Sequence, residues 1–319
     1  MRRLLVALFI LSFSTFAQKS DNSHPFDYDS KLPLDTQDAG VEFRGSVGIY
    51  DVSYASPKGG RVRAYLVLPP GKGPFAAVIW GHWCWTNSNL RNRREFLDEA
   101  VALATTGAAS LLIDFPIARP GYVEDKDPLS SQQIDDLVQE VVDIRRGADL
   151  LLARPFVDAK RLAYVGHSCG ASAGGVVSGV DKRFRAFVLM AGSLSDEVIT
   201  KSPQFQEFRQ KLGPAKVDAF LAKYSWSDPG KYISHAAPAT LFLQYAIQEK
   251  FLTAEMAKAT AALASEPKQF KLYDAPHALN GEALRDRLVF LADQLHLQPL
   301  SSEAIAAIPA LPQPPEPQP

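Results

Sequence analysis

Cysteine and net charge are both scarce in this sequence, and each scarcity excludes a class of protein. Two cysteines in 319 residues, Cys84 and Cys169, are too few for a disulfide-rich scaffold or for a zinc site built from cysteines. Lys and Arg number 34 against 35 Asp and Glu, so the formal net charge is -1 and no overall field attracts nucleic acid or an anionic membrane. With 46% hydrophobic residues, the chain has ample material for a buried core, and that core must hold the fold.

Long apolar runs are also scarce, and the clearest one lies at the N-terminus. Arg2 and Arg3 precede an apolar stretch, and Thr15 and Ala17 occupy the -3 and -1 positions of a cut after Ala17. This is the pattern of a secretory signal peptide over residues 1–17, and the stretch is shorter than the roughly 20 residues needed to span a bilayer. We therefore predict a secreted or periplasmic protein with no membrane insertion after signal cleavage.

A polar leader (18–44) is followed by two β-rich runs and then by a different pattern. S-V-G-I-Y-D-V-S-Y and R-V-R-A-Y-L-V-L-P flank the turn residues A-S-P-K-G-G, which indicates an antiparallel hairpin. Six unbroken apolar runs follow, separated by segments with helical periodicity. Such strands are typical of a parallel sheet that is covered on both faces. We predict an α/β fold over residues 45–299, with a mostly parallel eight-stranded sheet and helices on both faces.

Two segments depart from this alternation. Residues 195–235 carry helical signals and no clear strand, which predicts a short helical insertion between the sixth and seventh strands. Residues 300–319 are rich in proline, which predicts an extended, disordered tail.

The stretch L-A-Y-V-G-H-S-C-G-A-S-A-G-G places Ser168 between a predicted strand and a predicted helix. Gly166 and Gly170 flank the serine at positions where a side chain would clash on a sharp strand-to-helix turn. The bare pattern G-x-S-x-G also fits a purely structural turn. The strand before it and the helix after it favour a nucleophile.

This order of elements and motifs resembles the α/β-hydrolase superfamily over about residues 45–297. It is most similar to the dienelactone-hydrolase-like and acetyl-xylan-esterase-like branch. G-H-S-C-G resembles the nucleophile elbow of that branch, and V-V-D-I-R-R-G-A-D-L-L-L-A-R-P-F-V-D-A-K-R-L-A-Y-V-G-H-S resembles the approach to the elbow in its secreted esterases. Dienelactone hydrolases use a cysteine nucleophile, whereas Ser168 holds that position here and Cys169 follows it. That departure argues against their specific lactone opening.

The resemblance implies an α/β-hydrolase fold and a serine hydrolase that cleaves carboxylic esters through an acyl-enzyme on Ser168. It implies no cofactor and no metal, and a small-molecule or carbohydrate-linked ester as the substrate. Two alternatives stay open. One is a serine peptidase of the prolyl-oligopeptidase type, and the other is a non-catalytic binding protein on a hydrolase fold.

A serine hydroxyl needs a base to take its proton, and the base needs an acid to orient it. Among six histidines, His277 alone follows the last predicted strand, and the resemblance also puts the base there. Glu249 stands after the penultimate strand where the branch has aspartate, and Ala246 stands where it has glycine. Glu249 is therefore the expected acid, with Asp196 after the sixth strand as the alternative.

The oxyanion of an acyl-transfer reaction needs backbone N–H donors. We expect one from Cys169, directly after the nucleophile, and a second from His82 in the loop W-G-H-W-C-W-T-N, with Trp83 as the alternative. Trp83 and Trp85 either wall the substrate cleft or belong to the core. In this fold that loop faces the elbow, so Cys84 and Cys169 are either joined in an oxidising compartment or remain two small buried thiols.

Overall fold

The computed structural model describes residues 25–85, 87–249 and 252–313. The predicted signal peptide (1–17) and the last residues of the predicted tail (314–319) lie outside the described residues. Within the described part, no helix is long and apolar enough to cross a membrane.

A nine-stranded sheet runs through the molecule in the order β1-β2-β3-β5-β4-β6-β7-β8-β9. The strands are β1 (Gln37–Arg44), β2 (Val47–Ala55), β3 (Arg61–Leu68), β4 (Phe75–Gly81), β5 (Ala108–Ile113), β6 (Val157–His167), β7 (Ala186–Met190), β8 (Thr240–Ala246) and β9 (Lys268–Tyr273). Strands β1, β2 and β3 pair antiparallel, β3 pairs antiparallel with β5, and the remaining neighbours are parallel. The mixed sheet and its surrounding helices form the predicted α/β-hydrolase fold.

Helices cover both faces of this sheet. They are α1 (Leu97–Ala104), α2 (Gln132–Leu152), α3 (Cys169–Val180), α4 (Asp196–Ile199), α5 (Pro203–Leu212), α6 (Pro214–Tyr224), α7 (Pro229–Ile233), α8 (Ala254–Leu263), α9 (Gly281–Leu295) and α10 (Ser302–Ala306). Helices α2, α3 and α8 pack on one face and α1 and α9 on the other, so each face has its own apolar core. Strands β4 and β5 are almost entirely buried because both of their faces are covered.

Helices α4 to α7 form the predicted helical insertion, which lies between β7 and β8. The sequence-based prediction had eight strands and placed residues 18–44 in a polar leader. Its sixth and seventh strands are therefore β7 and β8 of the structure. The structure adds β1 from within that leader. All eight residues of β1 are exposed, and its sequence Q-D-A-G-V-E-F-R has no buried face. An edge strand of this kind carries little hydrophobic alternation, so the pattern gave no strand signal.

The predicted extended tail also differs from the structure. Ser301 caps α10 by accepting a hydrogen bond from the Ala304 N–H, and Ile305 is buried against the α9 side of the core. Further along, the Gln313 side chain accepts a hydrogen bond from the Ala278 N–H. The prolines begin just after α10, and the apolar residues before them provide enough burial to fix a short helix.

Candidate active site

Ser168 occupies the turn between β6 and α3, with φ 57° and ψ -115°. A non-glycine residue with positive φ is strained, and such strain persists where the surrounding structure enforces it. The two flanking glycines allow this geometry. A Cβ on Gly166 would collide with the Gly170 backbone, and a Cβ on Gly170 would collide with the Gly81 backbone. The elbow predicted from the sequence is therefore present, and it is packed against the end of β4.

His277 lies after β9, and Glu249 lies after β8, as predicted. Glu249 Oε1 is 2.7 Å from His277 Nδ1. Burial lowers the pKa of His277, and the Glu249 hydrogen bond opposes that shift. The ring is therefore neutral near pH 7, with its Nδ1–H donated to Glu249 and its Nε2 left as the basic atom.

His277 Nε2 is buried and has no hydrogen-bond partner in the described part of the chain. Its ring stacks on that of His167, the residue before Ser168, with 5.0 Å between the ring centroids. The free basic nitrogen thus belongs to a ring that packs beside the elbow.

Asp196, the alternative acid, is held elsewhere. It begins α4, and its backbone N–H donates to Asp228 Oδ1 at 3.1 Å. Burial and the nearby Asp228 charge raise the pKa of Asp196 to about 6. Of the two carboxylates, only Glu249 contacts His277 among the described residues.

The loop after β4 is fixed beside the elbow through buried contacts of His82. His82 Nδ1 lies 2.7 Å from the Trp83 carbonyl oxygen, and Nε2 accepts the Phe115 N–H at 3.0 Å. Burial lowers the pKa of His82 to about 4, which agrees with a neutral ring that donates through Nδ1 and accepts through Nε2. In the described region the backbone N–H groups of His82 and Cys169 have no acceptor, as an oxyanion hole requires.

The two Trp83 expectations are wrong. Its N–H donates to Glu95 Oε2 at 2.6 Å, so it has no free donor for an oxyanion. Its side chain is fully buried and is not among the residues that line the cleft. Trp83 instead packs on His167, with ring centroids 4.9 Å apart. Trp85 is partly exposed and lies 4.8 Å from the His277 ring, measured between centroids, so it covers the histidine.

A disulfide joins the loop after β4 to the elbow. Cys84 and Cys169 are bonded, with their Cα atoms 5.7 Å apart. Of the two possibilities that the sequence left open, the structure has the bridge. Both sulfurs lie near a carboxylate oxygen of Glu140. Because the sulfurs are bonded to each other, this trio offers no thiolate to a metal ion.

A buried pair that the sequence analysis missed lies behind His277. His167 Nδ1 is 2.6 Å from Glu95 Oε1, and His167 Nε2 is 2.9 Å from the His277 carbonyl oxygen. Burial lowers the pKa of His167 to about 4 and raises that of Glu95 well above its ordinary value. Both groups are therefore neutral: Glu95 donates a proton to Nδ1, and the Nε2–H group donates to the His277 carbonyl. His167 was visible in the elbow motif, but nothing local marked Glu95 as its partner.

A cleft of about 580 Å³ opens in front of Ser168. Its walls come from the turn after β7, from α2, and from the insertion helices α4 and α6. The nucleophile candidate, the disulfide and the insertion thus share one cavity. The insertion between β7 and β8 therefore forms part of the wall of this cleft.

Comparison with solved structures finds proteins that share the fold of this chain. An acetyl xylan esterase from Paenibacillus sp. R4 superposes with a TM-score of 0.64 at 21% identity, covering 82% of this chain and 89% of that one. An acetyl xylan esterase from a Thermoanaerobacterium species gives 0.66 at 16% identity, covering 85% and 91%. A glucuronoyl esterase from Solibacter usitatus gives 0.55 at 13% identity, covering 82% and 86%.

No family model matches the sequence, and no curated protein matches it. The likeness to these esterases is therefore carried by the fold, at identities where the fold alone is shared. The chain has the α/β-hydrolase fold in a form similar to that of acetyl xylan esterases.

Proposed function

We propose that the protein is a serine hydrolase that cleaves carboxylic esters through an acyl-enzyme on Ser168. The observation that carries the proposal is the 2.7 Å contact between Glu249 and His277, which leaves a neutral, basic Nε2 on a ring packed beside the elbow. The two acetyl xylan esterases and the glucuronoyl esterase described above share this fold, and each is named as an enzyme that cleaves esters. They support ester over peptide bonds as the substrate.

In the proposed reaction, Ser168 Oγ attacks the ester carbonyl carbon while His277 Nε2 takes the hydroxyl proton. Glu249 stabilises the imidazolium that results. The oxygen that becomes negative is held by the N–H groups of Cys169 and His82. The C–O bond to the alcohol then breaks, and His277 returns its proton to the departing alcohol. Water, deprotonated by His277, attacks the acyl-enzyme and releases the acid and Ser168.

We also propose that the protein is exported to a secreted or periplasmic location. The N-terminal sequence pattern supports this, and so does the Cys84–Cys169 bond, because disulfides persist in oxidising compartments. The substrate is proposed to be a small-molecule or carbohydrate-linked ester.

The test is a panel of chromogenic esters of increasing acyl length, assayed beside aminoacyl anilides with the wild type and Ser168→Ala. We expect ester hydrolysis by the wild type, with turnover lower by on the order of 10⁶ in a Ser168→Ala protein that remains folded. Preferential cleavage of the anilides would favour the peptidase alternative. No turnover of any member would favour the binding protein, and an unaffected Ser168→Ala rate would remove Ser168 as nucleophile.

A further inference from the structure

The cleft in front of Ser168 is lined by five acidic side chains, of which Glu124 is paired with Lys126 at 2.7 Å. Its carboxylates come from the segment before α2, from α2 itself and from the start of α4, and they are Glu124, Asp125, Asp136, Glu140 and Asp196. Among the described residues that line this cleft there is no Lys, Arg or His. A cavity with walls of one sign focuses its field on whatever enters it, so the cleft attracts positive charge.

Glu140 is the acid placed deepest beside the reaction centre. Its side chain is 95% buried, since its exposed fraction is 5%, and its carboxylate lies within 4.8 Å of both sulfurs of the disulfide that flanks Ser168. In the described residues this carboxyl has no hydrogen bond and no ion pair. The nearest cation is already engaged, because Arg119 donates to Asp143 Oδ2 at 2.5 Å and to the Asp114 carbonyl oxygen at 3.1 Å.

A second unpartnered polar group lies at the same cavity. Ser193 lines the cleft, is fully buried, and its hydroxyl has no hydrogen-bond partner in the described structure. Ala191 and Ser193 both have positive φ, at 47° and 60°. The Ser193 hydroxyl is closed off against α3, where a Cβ on Gly175 would lie 2.1 Å from it, so Glu140 is the unpartnered group that a ligand in the cleft can reach.

A positively charged ligand would offset the negative charge of the carboxylates that line the cleft. Burial raises the pKa of Glu140 well above its ordinary value, and the neighbouring Asp136 and Asp143 raise it further. The Arg119 charge opposes this rise in the pKa, but burial is the larger effect and holds the carboxyl neutral. A cationic group in the cleft would favour the ionised carboxylates, whereas a ligand carboxylate would add to the repulsion.

We propose that this cleft prefers esters that carry a cationic group over neutral esters of the same shape. The proposal rests on the ester hydrolysis proposed above and goes beyond it by naming the charge of the substrate. It concerns the group beside the scissile bond, in either the alcohol half or the acyl half of the ester.

The test compares two pairs of esters whose members differ only in charge. Acetylcholine is matched with 3,3-dimethylbutyl acetate, and the 4-nitrophenyl ester of 4-trimethylammoniobutyrate is matched with that of 5,5-dimethylhexanoate. At pH 8 and low ionic strength we expect kcat/KM to be roughly tenfold higher for the cationic member of at least one pair. Added salt should reduce the ratio, since screening acts on the charge alone.

Glu140→Gln keeps the shape of the side chain and removes the carboxyl that a bound cation would ionise, so it should lower the cationic-to-neutral ratio. Glu42→Gln, on the exposed edge strand β1, makes the same substitution away from the cleft and should keep the wild-type ratio. Equal rates, or a neutral preference, in both pairs would overturn the inference. Since the neutral members are still hydrolysed in that case, the result is distinct from a failure of the proposed esterase activity, in which neither member of either pair is cleaved.

Discussion

The two sides of the candidate site are built in opposite ways. Behind His277, each polar group of the Glu95–His167 pair has a partner, and aromatic rings fill the space around it. In front of Ser168, five acidic side chains line the cleft, and the Glu140 carboxyl among them has no hydrogen bond or ion pair in the described structure. The first arrangement holds a base in one position, and the second leaves hydrogen-bonding and charge capacity for a ligand. The contrast teaches that the support side pairs its ionisable groups with one another, while the cleft side leaves the carboxyl of Glu140 open to a ligand.

The largest expected effect distinguishes Glu249, which contacts His277, from Asp196, which lines the cleft. Glu249→Gln removes the charge that orients and stabilises His277, so turnover should fall by about 10⁴ while the fold survives. Asp196→Asn changes a cleft residue that does not contact His277 in the described structure, so its effect on a neutral ester should be mild. Both variants are assayed for ester turnover and checked by circular dichroism. The reverse ranking, in two folded proteins, would make Asp196 the acid of the triad.

The disulfide links the loop after β4 to the elbow, and its removal should destabilise the fold. It closes a loop with a sequence separation of 85 residues. A bridge across a loop of this size is expected to stabilise the fold by about 4 kcal/mol, or roughly a thousandfold in the folding equilibrium. Denaturant unfolding of the double variant Cys84→Ser/Cys169→Ser, beside the oxidised wild type, measures the difference. Coincident unfolding curves would show that the bridge constrains neither state.

The next prediction concerns Glu95, which lies behind His277 and contacts His167 and Trp83. Glutamine can accept the Trp83 N–H through its oxygen and donate to His167 Nδ1 through its amide, as a neutral carboxyl does. Glu95→Gln should therefore keep turnover within about threefold of the wild type, whereas Glu95→Leu, which breaks both contacts and shifts the His277 loop, should lower it by about 10². Steady-state kinetics on one ester check both variants. If glutamine is as damaging as leucine, the pair is ionised and not neutral.

The smallest effect is the pH response of His277. The ring must be neutral to accept the serine proton, so activity should be low when it is protonated and should rise with pH through its pKa. Burial lowers that pKa, so the midpoint of the acid limb should lie below 6.5, the ordinary value for histidine. Below the midpoint, turnover should change by about tenfold per pH unit. A kcat/KM profile on a neutral ester tests this, and a rate that falls between pH 6 and 7.5 would require a different base.

Much of the fold was predictable because it rests on local patterns. Unbroken apolar strands predicted the central parallel sheet, and the turn residues predicted the β2–β3 hairpin. The exposed edge strand β1 and the helix α10 were not predicted, since neither shows a long periodic pattern. Strand β1 depends on pairing with β2, and α10 depends on burying Ile305 against a surface formed by other elements. Both are stabilised by contacts that the local sequence does not contain.

The sequence by itself determined the elbow and the chain order of Ser168, Glu249 and His277. Glycines at fixed offsets and the position of a residue after a strand are local properties, and the carboxyl ends of parallel strands meet at one edge of the sheet. Only the tertiary structure decided the bond between Cys84 and Cys169, the exclusion of Trp83 from the cleft, and the pairing of Glu95 with His167. These contacts join residues far apart in the chain, and their distances depend on how helices and loops pack on the sheet. That packing is a cooperative result of the whole core, so no single stretch of sequence specifies it.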